Sequence, residues 1–336
     1  MSMDPFPASD DESAGQGAGQ LSTSELMQPV KSEFQGSLRV LVTGADGFIG
    51  RHLLPRLVSR GHRVRALVRR RRAAPSSSAN GIEWCVADLT DRGALAGVAS
   101  GCDRVVHLAG NFETVDGVRL GRVHGTGTRN LVWEILKSDV DRIVLVSALG
   151  ASPDGGEFFR SKFEAEDIVL SCSVEHLILR PSVVYGPGDH FTVPVARILK
   201  SLPVFPMMGD GTFQLQPLAV EDMVDILTQG VERSDLGGRS VDLAGPERLS
   251  FVRIVRIVGK TIGHARPILP LPAAFAAPTA RIAAALGLPR PFPESQLDIL
   301  RYGSVLQTDV NPVRSLFHIK PLPFADAVTD YLELDR

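Results

Sequence analysis

The sequence predicts an α/β fold, with a Rossmann-type, doubly wound parallel sheet and a smaller C-terminal α/β lobe over the carboxyl edge of that sheet. Two observations predict it. Short β-branched runs alternate with helically spaced apolar residues, and a glycine-rich turn follows the first run. Strands that alternate with helices build a parallel sheet covered on both faces. The alternation ends near Gly186, which indicates that a separate lobe follows.

The strands and helices follow one another along the chain. Strands are predicted over Leu38–Gly44, Arg63–Val68, Ile82–Leu89, Asp103–Gly110, Asp141–Gly150 and Glu175–Gly186. Helices are predicted from the glycine-rich turn to Gly61, over Thr126–Lys137 and over Phe159–Ser171. In the lobe we expect a strand over Val241–Leu243, a helix from Phe251, and a helix near Ala274–Leu286 that packs in the lobe rather than on a membrane surface.

The composition is that of an ordinary globular chain. It has 336 residues, 44% hydrophobic and 22% charged, with a net charge of -2. This charge gives no general attraction to nucleic acid, and we expect no nucleic-acid partner. The three cysteines form no CxxC pair, so we expect neither a metal site nor a disulfide framework. We expect no transmembrane segment, because no run of about 18 uncharged apolar residues is present.

The turn "VTGADGFIG" is the strongest local motif. Gly44, Gly47 and Gly50 form G-x-x-G-x-x-G directly after a strand and at the start of a helix. The first glycine permits a tight turn, the second lets the backbone approach a pyrophosphate, and the third allows close packing of helix on strand. The helix N-terminus offers unpaired N–H groups to an anion. In this context the motif predicts a dinucleotide site, and a turn kept only for packing is the alternative.

Arginines follow the second strand, where an acidic side chain would bind a ribose 2′-hydroxyl. Arg69 and Arg70 suit a 2′-phosphate instead, because guanidinium groups form forked, charge-assisted hydrogen bonds with phosphate. We therefore expect NADP(H) to be favoured over NAD(H). A solvated basic loop is the alternative, above all for Arg71 and Arg72. Asp88 is predicted either to accept a hydrogen bond from the adenine amino group or to cap a turn.

We divide the chain into three parts. Residues 1–35 are predicted to be a disordered polar tail, either an inert extension or a docking segment. Residues 36–186 are predicted to form the NADP(H)-binding Rossmann core, and residues 187–336 a mixed lobe with sheet-completing segments near 214–245. The tail lacks the features of a signal or transit peptide. We therefore expect a bacterial cytoplasmic protein, with a peripheral position at the inner membrane as the alternative.

These motifs and their order resemble the extended, atypical branch of the short-chain dehydrogenase/reductase superfamily, which is NAD-dependent epimerase/dehydratase-like. The segments that carry the resemblance are "TGADGFIG", "ADLTD", "VVHLAG", "GTRN", "VSALGA", "RSKFEAE", "LRPSVVYGPGD" and "QPLAVEDM". Within that branch, "SALGAS", "RSKFEAE" and "LPVFPMMGDG" are most similar to the nucleotide-binding accessory subunit of respiratory complex I and its bacterial relatives.

The resemblance implies a path for the dinucleotide along the carboxyl edge of the sheet. The implied contacts are Thr43, Gly44, Asp46, Gly47, Phe48 and Ile49 at the pyrophosphate, Arg69 and Arg70 at the 2′-phosphate, Asp88 and Leu89 at adenine, Leu108, Ala109 and Gly110 under the ribose, Lys162 at the nicotinamide ribose, and Pro181 and Val183 at the carboxamide.

The catalytic set that the resemblance implies is incomplete. Active members use a Ser or Thr after the fifth strand, a Tyr that exchanges a proton, and a Lys that lowers the tyrosine pKa. Ser147 stands near the first position, with its register against Ala148 left open, and Lys162 supplies the lysine. Phe158 replaces the tyrosine, and a phenyl ring cannot exchange a proton. We therefore expect cofactor binding to survive and carbonyl reduction to lose its acid.

Other polar groups near the same edge are expected to have structural roles. Tyr185 is expected to pack with a satisfied hydroxyl rather than to donate a proton. His107 and His124 are expected to pack or cap. Gln214 and Leu215 stand where relatives often show an Arg and an aromatic residue, which puts the usual anionic-substrate contact in doubt.

Three functions are consistent with these residues. The first is an NADP(H)-binding protein with low or no turnover, whose cofactor is structural or sensing and which docks on a partner such as a respiratory or membrane-associated complex. The second is an NADP(H)-dependent oxidoreductase or epimerase with a substitute proton donor and a small or lipophilic substrate. The third is an empty Rossmann scaffold used for assembly.

Overall fold

A parallel sheet of seven strands forms the centre of the fold and confirms the predicted fold class. The computed structural model describes residues 36–70, 81–110, 121–272 and 303–332. The predicted N-terminal tail, the predicted helix near Ala274–Leu286, and Arg71 and Arg72 lie outside the described residues.

Strands and helices alternate through the first part of the chain. The strands are β1 Arg39–Thr43, β2 Arg63–Val68, β3 Ile82–Val86, β4 Arg104–His107, β5 Arg142–Val146, β6 Glu175–Pro181, β7 Val184–Tyr185, β8 Phe205–Met208, β9 Gln214–Leu215, β10 Leu218–Ala219, β11 Arg239–Leu243, β12 Leu249–Ser250 and β13 Ile268–Leu271. The α-helices are α1 Phe48–Ser59, α2 Thr128–Ile135, α3 Glu157–Leu170, α4 Thr192–Ser201, α5 Val220–Glu232, α6 Phe251–Thr261, α7 Pro312–Ser315 and α8 Phe324–Leu332.

Two further helical turns complete this set. A π-helical turn, Arg122–Gly127, leads directly into α2, so the single helix predicted over Thr126–Lys137 is a π turn followed by a shorter α-helix. A 3-10 turn covers Ser234–Leu236. Within the described ranges, no helix combines the length and the apolar character needed to cross a membrane.

The sheet has the strand order β11-β6-β5-β4-β1-β2-β3, and every pairing in it is parallel. Five of the six strands predicted up to Gly186 are shorter than expected, and the third and the sixth show a local cause. The third ends at Val86, because Asp88 turns the chain by accepting hydrogen bonds from Thr90. The sixth leaves the sheet after Pro181, and its continuation β7 pairs with β10 instead.

Apolar side chains cover both faces of the sheet. On one face, Val40 of β1 belongs to a buried cluster with Leu53 of α1 and with residues of α5. On the other face, Leu41 belongs to a cluster with Leu131 of α2 and Val169 of α3. All five of these side chains are fully buried. The side chains of neighbouring β1 residues point to opposite faces of the sheet, and helices cover both faces. The fold is therefore doubly wound.

A third apolar cluster lies in the C-terminal lobe. Tyr185, Phe205, Phe251, Val258 and Phe324 are buried in it, on strands and helices that follow β6. The pairings of β7 with β10, β8 with β13 and β9 with β12 belong to this part of the chain. Because β7 follows shortly after the carboxyl end of β6, the lobe begins at that edge of the sheet. The boundary between residues 186 and 187 stays a prediction.

A buried arginine joins the sheet to the end of α5. Arg142 begins β5 and is 2% exposed. Its guanidinium donates to the carbonyl oxygens of Gly230, Arg233 and Ser234 at 3.2, 2.5 and 3.1 Å. It also donates to Glu175 Oε2 at 2.6 Å. One side chain therefore donates to three backbone carbonyls at and just beyond the end of α5.

Replacing Arg142 by Met is expected to lower the free energy of unfolding by about 3 kcal/mol, because buried carbonyls lose their donor. Arg39→Met is the control, since the side chains of Arg39 and its partner Glu83 are 40% and 45% exposed. Its effect is expected to be within about 0.5 kcal/mol. Urea unfolding followed by tryptophan fluorescence measures both. Equal losses in the two variants would contradict the role given to Arg142.

Candidate functional site

The strand order reverses between β1 and β4, and in doubly wound sheets ligands bind outside the carboxyl ends of the strands at this point. Thr43 and His107 end these two strands and pair in register. Thr43 Oγ1 lies 2.6 Å from His107 Nδ1 and accepts a hydrogen bond from the Ala109 N–H at 3.2 Å. Because Thr43 is fully buried, its hydroxyl ties the two strand ends together rather than facing a ligand.

The glycine turn brings the loop after β1 against the backbone that follows β4. Gly44 has a φ of 66°. A Cβ atom at Gly44 would lie 2.9 Å from backbone atoms of Ala109, and one at Gly50 would lie 2.5 Å from Gly44 O. Neither neighbour is a flexible side chain, so a residue larger than glycine would force backbone to move at both positions.

The start of α1 fits the diphosphate of a dinucleotide. Gly47 is the N-cap residue, no side chain caps the helix, and its first turn has no acidic residue. The backbone N–H groups and the positive end of this helix are therefore available to an anion. Asp46 and Gly47 are exposed, and Phe48 and Ile49 are half-buried, so these four residues implied at the pyrophosphate are accessible, whereas Thr43 is not.

The implied adenine end carries two arginines and one carboxylate. Arg69 and Arg70 are exposed at the carboxyl end of β2. Asp88 Oδ1 accepts from Thr90 N and Thr90 Oγ1, both at 2.8 Å, so the predicted turn cap is confirmed. Burial opposes ionisation of Asp88, but these hydrogen bonds, with the charges of Arg69 and Arg122, hold its pKa below the usual value.

Two residues around this end complete the description. Arg122 was not singled out in the sequence, and only the fold brings its charge near Asp88. Leu89 is buried, and its carbonyl accepts from Asn130 Nδ2 at 2.9 Å.

The implied nicotinamide end lies on α3, which begins two residues earlier than predicted and so includes Phe158. The spacing of four places Phe158 and Lys162 on one face of the helix. Lys162 Nζ donates to Val146 O at 3.0 Å. Burial lowers the pKa of Lys162 to about 8, against the opposing charge of Glu166. A neutral solution therefore leaves the amine largely protonated.

The Phe158 ring packs edge-on against two rings, those of Phe159 and His124, with centroids 5.4 and 6.2 Å away. Phe158 is 4% exposed and packs with Ala148 and Phe159. Ala148 belongs to this cluster, and the register of Ser147 against Ala148 stays open. Ser147 is buried, and its Oγ has no hydrogen-bond partner among the described residues.

Two buried histidines lie close to Lys162. His107 Nδ1 faces Thr43 Oγ1, and its Nε2 lies 3.0 Å from Thr128 Oγ1. Burial, together with the charge of Lys162, lowers the pKa of His107 to about 3. His124 Nδ1 lies 2.8 Å from Ser161 Oγ. Burial and the charge of Lys162 also hold the pKa of His124 well below its usual value.

The remaining implied contacts follow β4 and β6. Leu108 and Ala109 are half-buried and Gly110 is exposed, whereas Pro181 is buried and Val183 is half-buried. Gln214 is exposed on β9 beside the buried Leu215, and Gln214 Nε2 donates to Thr212 O at 2.8 Å.

Tyr185 packs as expected, whereas the expectation that its hydroxyl is satisfied stays a prediction. The side chain is fully buried against Phe324, with ring centroids 4.8 Å apart, and the hydroxyl has no partner among the described residues. Burial raises the pKa of Tyr185 far above its usual value, so the phenol is a poor proton donor.

The sheet with its reversed strand order and the glycine turn define a dinucleotide-binding α/β protein. The chain belongs to the NAD dependent epimerase/dehydratase family, whose model matches residues 40–244. Members of this family bind NAD(P) cofactors. The predicted superfamily is confirmed. No group of three His, Cys, Asp or Glu residues that could hold a metal ion is found in the part of the chain that the structure describes.

Several relatives are similar over most of their length. Ceramide reductase of Caulobacter vibrioides is 31% identical over 236 residues, which cover 69% of this chain and 73% of that protein. Sterol demethylase protein B of Methylococcus capsulatus is 28% identical, with coverages of 70% and 78%. The Arabidopsis thaliana mitochondrial protein NADH dehydrogenase (ubiquinone) 1 alpha subcomplex subunit 9 is 26% identical, with coverages of 80% and 69%.

Solved epimerase structures share the fold. UDP-glucose 4-epimerase of Thermotoga maritima, with UDP-glucose, superposes with a TM-score of 0.69 at 16% identity and covers 89% of this chain and 99% of its own. UDP-glucuronic acid 4-epimerase of Bacillus cereus, in complex with UDP-glucuronic acid and NAD, gives 0.68 at 18% identity, with coverages of 89% and 100%. At these identities the likeness concerns the fold alone.

Gly44→Ala is expected to weaken NADPH binding by roughly tenfold or more, because its Cβ would push the turn away from Ala109. Gly61→Ala is the matched control: its φ is 88°, yet no atom lies within 4 Å of an added Cβ. Both variants bear the strain of a left-handed backbone, about 1 kcal/mol, but Gly61→Ala should keep the wild-type affinity. Calorimetric titration tests this, and an unchanged affinity in Gly44→Ala would contradict the assigned site.

Proposed function

We propose that this protein binds NADP(H) as a structural or sensing nucleotide, has low or no turnover as a carbonyl reductase, and docks on a partner complex. The observation that carries the proposal is Phe158. It takes the tyrosine position one helical turn before Lys162, and its ring is packed against Ala148 and Phe159. A nucleotide site without an acid beside it is suited to hold the dinucleotide rather than to turn it over.

The residues present fit this nucleotide. The open start of α1 would hold the diphosphate, and Lys162 would donate to the nicotinamide ribose. Pro181 and Val183, at the end of β6 and just after it, would lie at the carboxamide. When bound, NADP(H) supplies a hydride that can be given or accepted. The chain itself supplies binding, orientation and charge.

The preference for a 2′-phosphate rests on charge. Arg69 and Arg70 are exposed at the end of β2, where a carboxylate would select a ribose 2′-hydroxyl. The charge of Arg122 acts on the same region, since it helps to hold Asp88 ionised. The charges of Arg69 and Arg122 both act on Asp88, so positive charge is concentrated where the 2′-phosphate would lie.

We expect low turnover because the usual proton donor is replaced, not because hydride transfer is impaired. The usual phenol is absent at Phe158, and Tyr185 is fully buried with its pKa far above the usual value. Tyr331 is engaged with Thr192 Oγ1 at 2.5 Å and with Asp189 at 3.1 Å. Tyr302 lies outside the described residues.

Partner docking is supported by one relative. The Arabidopsis thaliana protein that is 26% identical is named as a subunit of mitochondrial NADH dehydrogenase. We extend that association to this chain as a proposal, with a bacterial cytoplasmic location at the membrane surface. A protein whose nucleotide site lacks an acid is consistent with such an accessory role.

A second candidate function is the reduction of a lipophilic carbonyl with Lys162 as proton donor. The pKa of Lys162, about 8, suits a donor near neutral pH. The hydride of NADPH would add to the carbonyl carbon and the Lys162 proton to its oxygen, giving an alcohol and a neutral amine. The names of two relatives, ceramide reductase and sterol demethylase protein B, refer to lipids.

Arg69→Ala is expected to lower the ratio of NADPH affinity to NADH affinity by about tenfold, because one charged hydrogen bond to phosphate is worth about 1.5 kcal/mol. Arg63→Ala is the control, because Arg63 is equally exposed at the opposite end of β2. Fluorescence titration with both nucleotides measures the ratio. A ratio that Arg69→Ala leaves unchanged would remove the phosphate role.

Phe158→Tyr is expected to raise NADPH-dependent reduction of a panel of aromatic and long-chain aldehydes by about 100-fold, because it restores a general acid beside Lys162. Phe159→Tyr is the matched control, since Phe159 is buried in the same cluster but lies off the Lys162 face. Lys162→Ala in the Phe158→Tyr background should abolish the gain. A wild-type protein as active as Phe158→Tyr would contradict low turnover and favour the second candidate.

A further inference from the structure

His124 carries a buried nitrogen whose hydrogen-bonding capacity is unused within the described residues. Its side chain is 1% exposed, and no partner is found there for its Nε2. A buried polar atom without a partner costs free energy, so a native protein retains one where a ligand or water completes it.

The hydrogen bonds on the other side of the ring decide the tautomer. Ser161 Oγ donates to Phe158 O at 2.8 Å. A serine hydroxyl has one proton, so the same oxygen must accept from His124 Nδ1–H, which lies 2.8 Å away. In a neutral imidazole the proton then sits on Nδ1, and Nε2 is left as an acceptor. The charge of Lys162 opposes a second proton on the ring.

This acceptor faces the same point as the ammonium of Lys162. A Cβ atom at Gly110 would lie 2.6 Å from His124 Nε2 and 3.3 Å from Lys162 Nζ. Gly110 itself is exposed just beyond β4, so a ligand can approach its backbone beside these two groups. The ammonium of Lys162 donates one of its three protons to Val146 O at 3.0 Å. A donor and an acceptor therefore lie close together beside the backbone of Gly110.

The backbone that holds His124 is itself unusual. His124 lies within the π-helical turn Arg122–Gly127. Such turns are rare in proteins and frequently occur at functional sites. The turn is an independent indication that the position of this side chain matters beyond packing.

We propose that His124 and Lys162 together bind one hydroxyl of the nicotinamide ribose, with Lys162 donating to its oxygen and His124 Nε2 accepting its proton. A hydroxyl is the group that matches a donor and an acceptor converging on one point. This inference rests on the proposed nucleotide-binding function. It gives the chain a positioning residue that helps to hold the dinucleotide.

The affinity of His124→Phe for two ligands tests the assignment. NADPH contains the nicotinamide ribose, whereas adenosine 2′,5′-bisphosphate lacks it. His124→Phe is expected to bind NADPH about fivefold more weakly, the effect of one lost hydrogen bond, and the bisphosphate as well as the wild type. His124→Gln, which keeps an acceptor, should recover most of the NADPH affinity. Thermal unfolding of each variant checks that the fold is retained.

Nitrogen-15 NMR of the full chain gives a readout that packing alone would not move. The Nε2 signal of His124 should shift when NADPH is added. His107 is the internal control, since both its ring nitrogens already have partners at 2.6 and 3.0 Å. Equal weakening of both ligands in His124→Phe, or an unmoved Nε2 signal in NADPH-saturated protein, would overturn the inference alone. A wild-type protein that binds neither ligand would overturn the proposed function as well.

Discussion

The contact between the backbones of Gly44 and Ala109 is the constraint on which the site depends. Any side chain at Gly44 would lie 2.9 Å from Ala109 and separate the ends of β1 and β4. The Thr43 hydroxyl, which contacts both His107 and Ala109, belongs to the same junction. The residue after Ala109 is Gly110, beside which Lys162 and His124 converge. The glycine turn and the two groups proposed to bind the ribose therefore depend on a single close approach.

The charge distribution around Lys162 favours binding over proton exchange. Its two histidine neighbours are kept neutral by burial and by the charge of Lys162 itself. Glu166, the nearest acid on α3, is committed to Arg180 through contacts of 2.9 and 2.6 Å. The Lys162 ammonium can therefore act on a ligand. At the position where a reductase has a proton-exchanging tyrosine, this chain has the phenyl ring of Phe158. These features are consistent with a retained nucleotide.

Periodicity and turn chemistry were enough to predict the fold and the position of the glycine turn. The spacing of Phe158 and Lys162 also predicted that they share a helix face, because i and i+4 positions do so in any α-helix. The chain could not show that His124 and Lys162 converge on Gly110, since that depends on how α2 and α3 pack on the sheet. It could not show the π-helical turn, because a single inserted residue leaves the apolar pattern nearly unchanged. Nor could it show that the Tyr185 ring packs against Phe324, which lies more than a hundred residues away in the chain.

The rate at which NADPH leaves the protein tests the central claim most directly. Stopped-flow displacement of NADPH by excess NADP⁺, followed by nucleotide fluorescence and compared with NADH, measures it. A built-in structural or sensing nucleotide predicts release of NADPH over minutes or longer and faster release of NADH. Release of NADPH within seconds at micromolar affinity would contradict that account, because it is the behaviour of a cosubstrate that is exchanged at every turnover.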